Sequence, residues 1–337
     1  MKKHINIPIF IPHVGCPHTC VFCNQRKISG CSDFDFARVS EELETAFATV
    51  DGTIPAQIAF FGGSFTGIPK DRMCGLLAIA EEYIRMGKCD SVRISTRPDY
   101  ISPEILEILK KYHVTSVELG IQSTNDRVLS FCERGHTAEN SHQAAALIKE
   151  YELEFIGQMM VGLPGATLTD ERQTALDIAD MKADGARIYP TVVFRDTKLA
   201  ELLQIGAYMP LTEEEAAFRA ANALSVFLER NIPVIRIGLQ SSEALTNSDD
   251  VLSGGYHPAV GEMAYSLCLR MFLARALEYE QTTGKTAYIS VHPSDVSKMI
   301  GQKGANRDYF IKKYALAGFR VLPDENIQKN TCKLDLQ

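Results

Sequence analysis

From the N-terminus to about Arg195, short apolar runs rich in β-branched residues alternate with longer stretches at helical spacing, and nothing else in the chain restricts its fold as strongly. The runs cover Ile5–Ile11 and residues 57–61, 92–96, 116–121, 155–161 and 186–192. Between them lie amphipathic segments with start signals. Ile105, Leu106, Ile108, Leu109 and Tyr112 make one apolar face, opened by Ser102 as N-cap and Pro103 as first helical residue. Thr167 and Asp170 form a capping-box pattern ahead of Leu176 and Ile178. Such alternation requires parallel strands with helical crossovers, in a doubly wound sheet or a full or partial barrel.

After Pro210 the pattern changes. Thr212 and Glu215 start a long helix through Leu228, residues 232–237 read as one more strand, and 258–279 as another helix. The last part reads strand (287–291), helix (294–300), Gly-x-x-Gly turn, helix (306–316) and strand (319–322). The expected division is a partial barrel over residues 1–235, a helical extension over 236–284 and a small α/β segment over 285–337.

Bulk properties narrow the function classes. A net charge of −7 over 337 residues excludes a uniformly basic nucleic-acid coat, so such contacts would be local. Pro8 and Pro12 interrupt an N-terminal run that faintly resembles an export signal, and no run reaches the roughly 18 apolar residues of a membrane span. A cytoplasmic chain with no membrane contact is expected. Nine cysteines, three clustered and six scattered, suit a reducing compartment and one metal centre better than disulfides. Cys74 and Cys268 fall in helical patterns, as buried small hydrophobes do.

The clustered three are Cys16, Cys20 and Cys23, directly after the first strand. Thiolates are soft ligands that suit iron–sulfur clusters or zinc. A closed zinc site wants four protein ligands, and no second cysteine pair stands at zinc-ribbon spacing; His13, His18 or Cys31 would have to complete it. Three thiolates on a four-iron cluster leave one iron for an incoming amino-acid chelate. Each later strand also ends in a ligand-friendly stretch: Gly62-Gly63-Ser64, then Thr96 in a polar turn, Gln122-Ser123 after Gly120, and Gly162-Leu163-Pro164-Gly165. In βα barrels these loops build the active site. Glycines there admit a ligand to the backbone, and Gln122 and Ser123 are placed to hydrogen-bond a ribose.

Together, Cys-x-x-x-Cys-x-x-Cys, Gly-Gly after the second strand and Gly-Leu-Pro-Gly after the fifth resemble the radical S-adenosylmethionine (SAM) superfamily. Gly15-Cys16-Pro17-His18, Phe61-Gly62-Gly63-Ser64-Phe65, Thr96-Arg97-Pro98-Asp99, Glu118-Leu119-Gly120-Ile121-Gln122-Ser123, Arg134-Gly135-His136-Thr137 and Ile188-Tyr189-Pro190-Thr191 are similar to its Elongator catalytic-subunit branch, across roughly the first 260 residues. The resemblance implies a partial (βα)6 TIM-like barrel with an α/β extension, a 4Fe-4S cluster on Cys16, Cys20 and Cys23, and SAM as cofactor. It further implies that Gly62, Gly63 and Ser64 meet the methionine amino group. Many members carry Glu where this chain has Ser64, so a backbone contact is expected there. An electron donor such as flavodoxin or ferredoxin is implied as partner. The Elongator subunit carries an acetyltransferase domain; no phosphate-cradling Gly-rich turn of that kind is seen here, so acetyl chemistry is not expected. The same motifs are similar to oxygen-independent coproporphyrinogen oxidase, which acts on a tetrapyrrole precursor.

Near the C-terminus, Gly301-Gln302-Lys303-Gly304 between two helices resembles the KH module, whose turn clamps RNA backbone. From Lys285 to Arg320, seven basic residues stand against Asp295 and Asp308. RNA, tRNA above all, is therefore the expected substrate, with a tetrapyrrole precursor or a non-enzymatic metal-containing RNA binder as alternatives. Tyr189 and His257 are candidate catalytic residues. Arg187, Arg236, His136 and Glu262 are weaker candidates for holding substrate or moving protons.

Overall fold

The computed structural model describes residues 5–11, 15–16, 20–25, 34–50, 54–239 and 249–337. Seven parallel strands form one sheet: β1 (Ile5–Ile11), β2 (Ala56–Gly62), β3 (Ser91–Thr96), β4 (Val114–Gln122), β5 (Glu154–Val161), β6 (Gly185–Pro190) and, skipping a short β7 (Val192–Phe194), β8 (Val234–Ile237). Neighbours in space follow chain order, so each crossover carries helix to the same face and the sheet curls into an open barrel wall. The crossover helices are α1 (Val39–Phe47), α2 (Lys70–Arg85), α3 (Pro103–Lys111), α4 (Asp126–Phe131) with α5 (Ala138–Glu150), α6 (Leu168–Asp180), and α7 (Lys198–Gln204) with α8 (Glu213–Glu229).

The expected start signals are used. Ser102 accepts from Ile105 N, and Thr167 with Asp170 and Thr212 with Glu215 complete reciprocal capping boxes. The main core lies between strands and helices, with Ile58, Val117, Phe155 and Ile188 meeting Leu77, Leu106, Ile148, Ile178 and Phe227.

The sixth strand was expected to run to Val192, and the structure ends it at Pro190. Thr191 is the reason: its N–H and its hydroxyl both donate to Val161 O, at 2.8 and 2.9 Å, which ties off the strand. The chain then turns away, and β7 pairs antiparallel with β9 (Val251–Gly254). Gly254 permits that crossing, since at φ 109° a β-carbon would stand 2.6 Å from Thr191 O.

Helix α9 (Val260–Leu277) lies against α8 and carries the last unit. There β10 (Thr286–Val291) pairs parallel with β11 (Gly318–Pro323) and antiparallel with β12 (Cys332–Leu336). Helices α10 (Val296–Ile300) and α11 (Ala305–Lys313) flank the Gly-x-x-Gly turn, and Phe310, Ile289 and Met299 form a separate core with Leu269 and Leu273 of α9. The first of these helices is shorter than its sequence pattern suggests, because Pro293–Asp295 makes a 3-10 turn first.

Phe227, fully buried between α8 and the sheet, tests the main core. Phe227→Ala should cost about 3–5 kcal/mol of stability, read as a lower urea midpoint.

Candidate active site

Two close backbone approaches create the site. Gly15 and Gly67 face each other so tightly that a β-carbon on Gly15 would stand 2.1 Å from Ser64 O, and one on Gly67 would stand 2.2 Å from Gly15 O. Gly63 N donates to Ile11 O at 2.7 Å, so the loop after β2 is stitched to the end of β1. The segment carrying the cysteines thus rests on the loop after β2, with Cys16 Sγ 3.6 Å from Ser64 Oγ. Its far end is held as well: Val21 N donates to Cys132 O, and Leu199 N donates to Val21 O at 2.7 Å.

A cavity of about 270 Å³ opens at the C-terminal ends of the strands. Cys16, Cys20, Cys23, Gly62, Gly63, Ser64, Thr96, Gln122 and Tyr189 all line it, as do Arg187 and Arg236. Thr96 Oγ1 is hydrogen-bonded to Thr66 Oγ1 at 2.6 Å. Gln122 sits at φ 67°, a left-handed conformation, and its Oε1 accepts from Gln158 Nε2 at 3.4 Å.

Other expected site residues lie elsewhere. Ser123 is buried outside the lining, where its hydroxyl accepts from Asn125 N. Gly162, Leu163, Pro164 and Gly165 are also outside it. Gly162 N donates to Glu171, Gly162 O accepts from Tyr208, and Leu163 packs under Val21 and Phe22. That loop supports the cysteine segment from below. His257 Nδ1 accepts from Ala259 N ahead of α9, where Glu262 lies in the first turn. Gly301 and Gly304 take φ 78° and 82°, with Gln302 and Lys303 exposed between them, remote from this cavity's lining. His13, His18 and Cys31 lie outside the described residues.

Arg134 is the lining residue whose importance the sequence pattern concealed. Its Nη1 donates to Cys20 Sγ at 3.2 Å and its Nη2 to Gly120 O at 2.5 Å. Arg97, almost fully buried, grips Asp99 through two 2.9 Å bonds. Both sit in motifs that carry the family likeness, but no site role was expected for either side chain.

The donor set fits a thiolate-bound metal group. Burial, and then the neighbouring Cys20, push the Cys23 thiol up to about 12, so a bare Cys23 thiolate is unfavourable in this wall without added positive charge. Metal coordination deprotonates thiols outright and supplies that charge. Among the described residues no three His, Cys, Asp or Glu side chains converge as a single-ion cage. The three sulfurs instead line one cavity wall beside Ser64 and Arg134.

His136 is enclosed behind the site, its Nε2 3.3 Å from Ile121 O. Burial, then the charges of Arg134 and Arg97, bring its pKa from 6.5 down to about 3. The unfolded chain takes up this proton as pH falls through 6.5 while the folded one stays neutral, so stability is lost between about 6.5 and 3. In urea titrations of the apoprotein the midpoint should drop over this window, and His136→Gln should flatten the slope. An equally steep slope in the variant would show another group to be responsible.

The comparisons with known proteins agree with this geometry. The model of the radical SAM superfamily matches residues 10–178, half of the chain, and that of the radical SAM C-terminal domain matches 183–267. The tRNA uridine(34) acetyltransferase of Methanocaldococcus jannaschii is 32% identical over 210 residues, covering 57% of this chain and 39% of that protein. The chain thus spans about two fifths of that curated relative. Among solved structures, the archaeal Methanocaldococcus infernus Elp3 superposes with a TM-score of 0.62 at 22% identity, over 82% of this chain and 63% of that one. Coproporphyrinogen III oxidase from Escherichia coli does so at 0.51 and 17%, over 68% and 53%. These two establish the fold as the curled parallel half-barrel expected from the sequence. The chain belongs to the radical SAM superfamily, as an enzyme homologous to the radical SAM region of the Elongator-type tRNA-modifying proteins.

Proposed function

We propose that Cys16, Cys20 and Cys23 hold a 4Fe-4S cluster with which the enzyme reductively cleaves SAM, and that the resulting 5′-deoxyadenosyl radical modifies RNA, tRNA above all, in the cytoplasm. The observation that carries the reading is the meeting of all three thiols with Gly62, Gly63, Ser64 and Gln122 on one cavity at the C-terminal ends of the strands. When bound, the cluster and SAM supply electron transfer and radical chemistry that side chains cannot.

The chain's own residues do the rest. Gly62 and Gly63 put main-chain atoms on the cavity wall for the methionine moiety, and Thr96 and Gln122 offer polar atoms further along it. Arg134 places a fixed positive charge on Cys20, and hydrogen bonds to sulfur help set a cluster's potential. Phe10, Phe22, Phe61 and Met160 keep water from the reacting centre. A flavodoxin- or ferredoxin-like protein would deliver the electron.

RNA as the target rests on the tRNA-modifying relatives and on the basic C-terminal unit, whose Gln302 and Lys303 are exposed on the Gly-x-x-Gly turn. Lys303 at φ 52° and the two flanking glycines form a tight turn of the kind that lets phosphates approach backbone N–H groups. The tetrapyrrole reading has fold likeness behind it and no matching site observation. Membership of an enzyme superfamily sets the non-catalytic reading aside.

After anaerobic reconstitution with iron and sulfide, dithionite should drive 5′-deoxyadenosine formation from SAM. Cys16→Ala, Cys20→Ala and Cys23→Ala should each bring it to background. Turnover should rise with total tRNA and not with coproporphyrinogen, scored by nucleoside and porphyrin mass spectrometry; the opposite result selects the tetrapyrrole substrate. Separately, Gln302→Asp with Lys303→Asp should weaken tRNA binding on the order of tenfold while iron content is unchanged. Undiminished affinity would remove the turn from the RNA contact.

A further inference from the structure

The barrel interior carries its charges as a ladder of pairs. Arg93 meets Glu154 at 3.1 Å low in the sheet, Arg187 meets Glu118 at 2.9 Å above them, and Arg97 meets Asp99 at 2.9 Å near the cysteines. Arg236 breaks the sequence. It lines the cavity, yet among the described residues it makes no hydrogen bond or ion pair.

Its position makes that unusual. Arg236 on β8 is the register partner of Arg187 on β6, so two guanidinium groups start from neighbouring strands, which lie about 4.8 Å apart in any sheet. Like charges placed directly opposite destabilise a sheet unless an anion lies between them. Glu118 cancels one of the two, and one positive charge remains. Arg187 is only 8% exposed, and its Nε makes no directional hydrogen bond even with Glu118 so near. Its Nη1 donates to Tyr189 Oη at 3.2 Å, which leaves the phenol proton free to point into the cavity.

We propose that Arg236, Arg187 and Tyr189 form a binding subsite for the carboxylate of a small organic acid, a second reactant that shares the cavity with SAM; this inference rests on the radical reading above. The surplus of a single charge matches a monoanion better than a phosphate dianion. A guanidinium fork presents two parallel N–H bonds to a carboxylate. Phe10, Phe61, Met160, Val192 and Phe194 line the same cavity, so the acid has an apolar body. The methionine carboxylate of SAM is the competing occupant, because the wall curls far enough to bring the Arg187 guanidinium 5.6 Å from the ring of Phe61, the neighbour of Gly62, and displacement of the probe by SAM is the outcome that separates the two.

Hexanoate serves as the probe, titrated calorimetrically into the reconstituted enzyme with saturating SAM. Saturable binding is expected, with no comparable binding of hexanol and weaker binding of hexyl phosphate. Arg236→Met should weaken hexanoate on the order of tenfold or more, and Arg236→Lys by less, with iron content checked in both. The proposal is overturned by absent hexanoate binding, equal binding of hexanol, tighter binding of hexyl phosphate, displacement of hexanoate by SAM, or parental affinity in Arg236→Met. Failure of the radical reading shows itself separately, as absent 5′-deoxyadenosine formation by the parent enzyme without any probe.

Discussion

The contact between two glycine-bearing backbones, Gly15 and the turn from Ser64 to Gly67, sets the register of everything around the cavity. Neither side leaves room for a β-carbon, so the separation is fixed by main-chain atoms rather than by adaptable side chains. Cys16 stands at that contact, and Val21, between the other two thiols of the trio, is hydrogen-bonded to the end of α4 and the start of α7. Held at these two places, Cys16, Cys20 and Cys23 line one wall, and Arg134 donates to Cys20 there.

A second constraint comes from desolvation. Among the described residues the interior holds five arginines, Arg93, Arg97, Arg134, Arg187 and Arg236, where a barrel of this kind is more often filled by branched aliphatics, and removing such charges from water must be offset locally. Burial opposes the charge of Arg187, and Glu118 with Tyr189 more than compensates, so its pKa stands above the ordinary arginine value. Arg93 shows the opposite balance, lowered by burial despite Glu154 and Glu118. These pairs fix the side chains that face the reacting centre.

The strands and the cysteine segment were legible because each depends on local pattern: alternation of β-branched runs, caps such as Thr212 with Glu215, and thiol spacing. What sequence hid depends on distance across the fold. Arg134 lies 114 residues from Cys20, and Arg-Gly-His reads as punctuation before a helix. The Gly-Leu-Pro-Gly loop is conspicuous in sequence, but Leu163 packs inward against Val21 while Glu171 and Tyr208 occupy the polar atoms of Gly162. Glycine and proline mark where a chain turns; they do not say which side of the turn meets a ligand. The end of β6 was misjudged for a related reason, since the hydroxyl that closes it bonds a strand 30 residues earlier.

The seven-stranded sheet begins at β1 and ends at β8, and among the described residues these two are not hydrogen-bonded to one another. The strand wall is therefore a trough instead of a closed barrel. An opening along the length of the strand wall gives a side approach to the cavity, which is the approach that the polymeric substrate proposed above would need, since a nucleotide joined on both sides cannot be threaded through an axial hole.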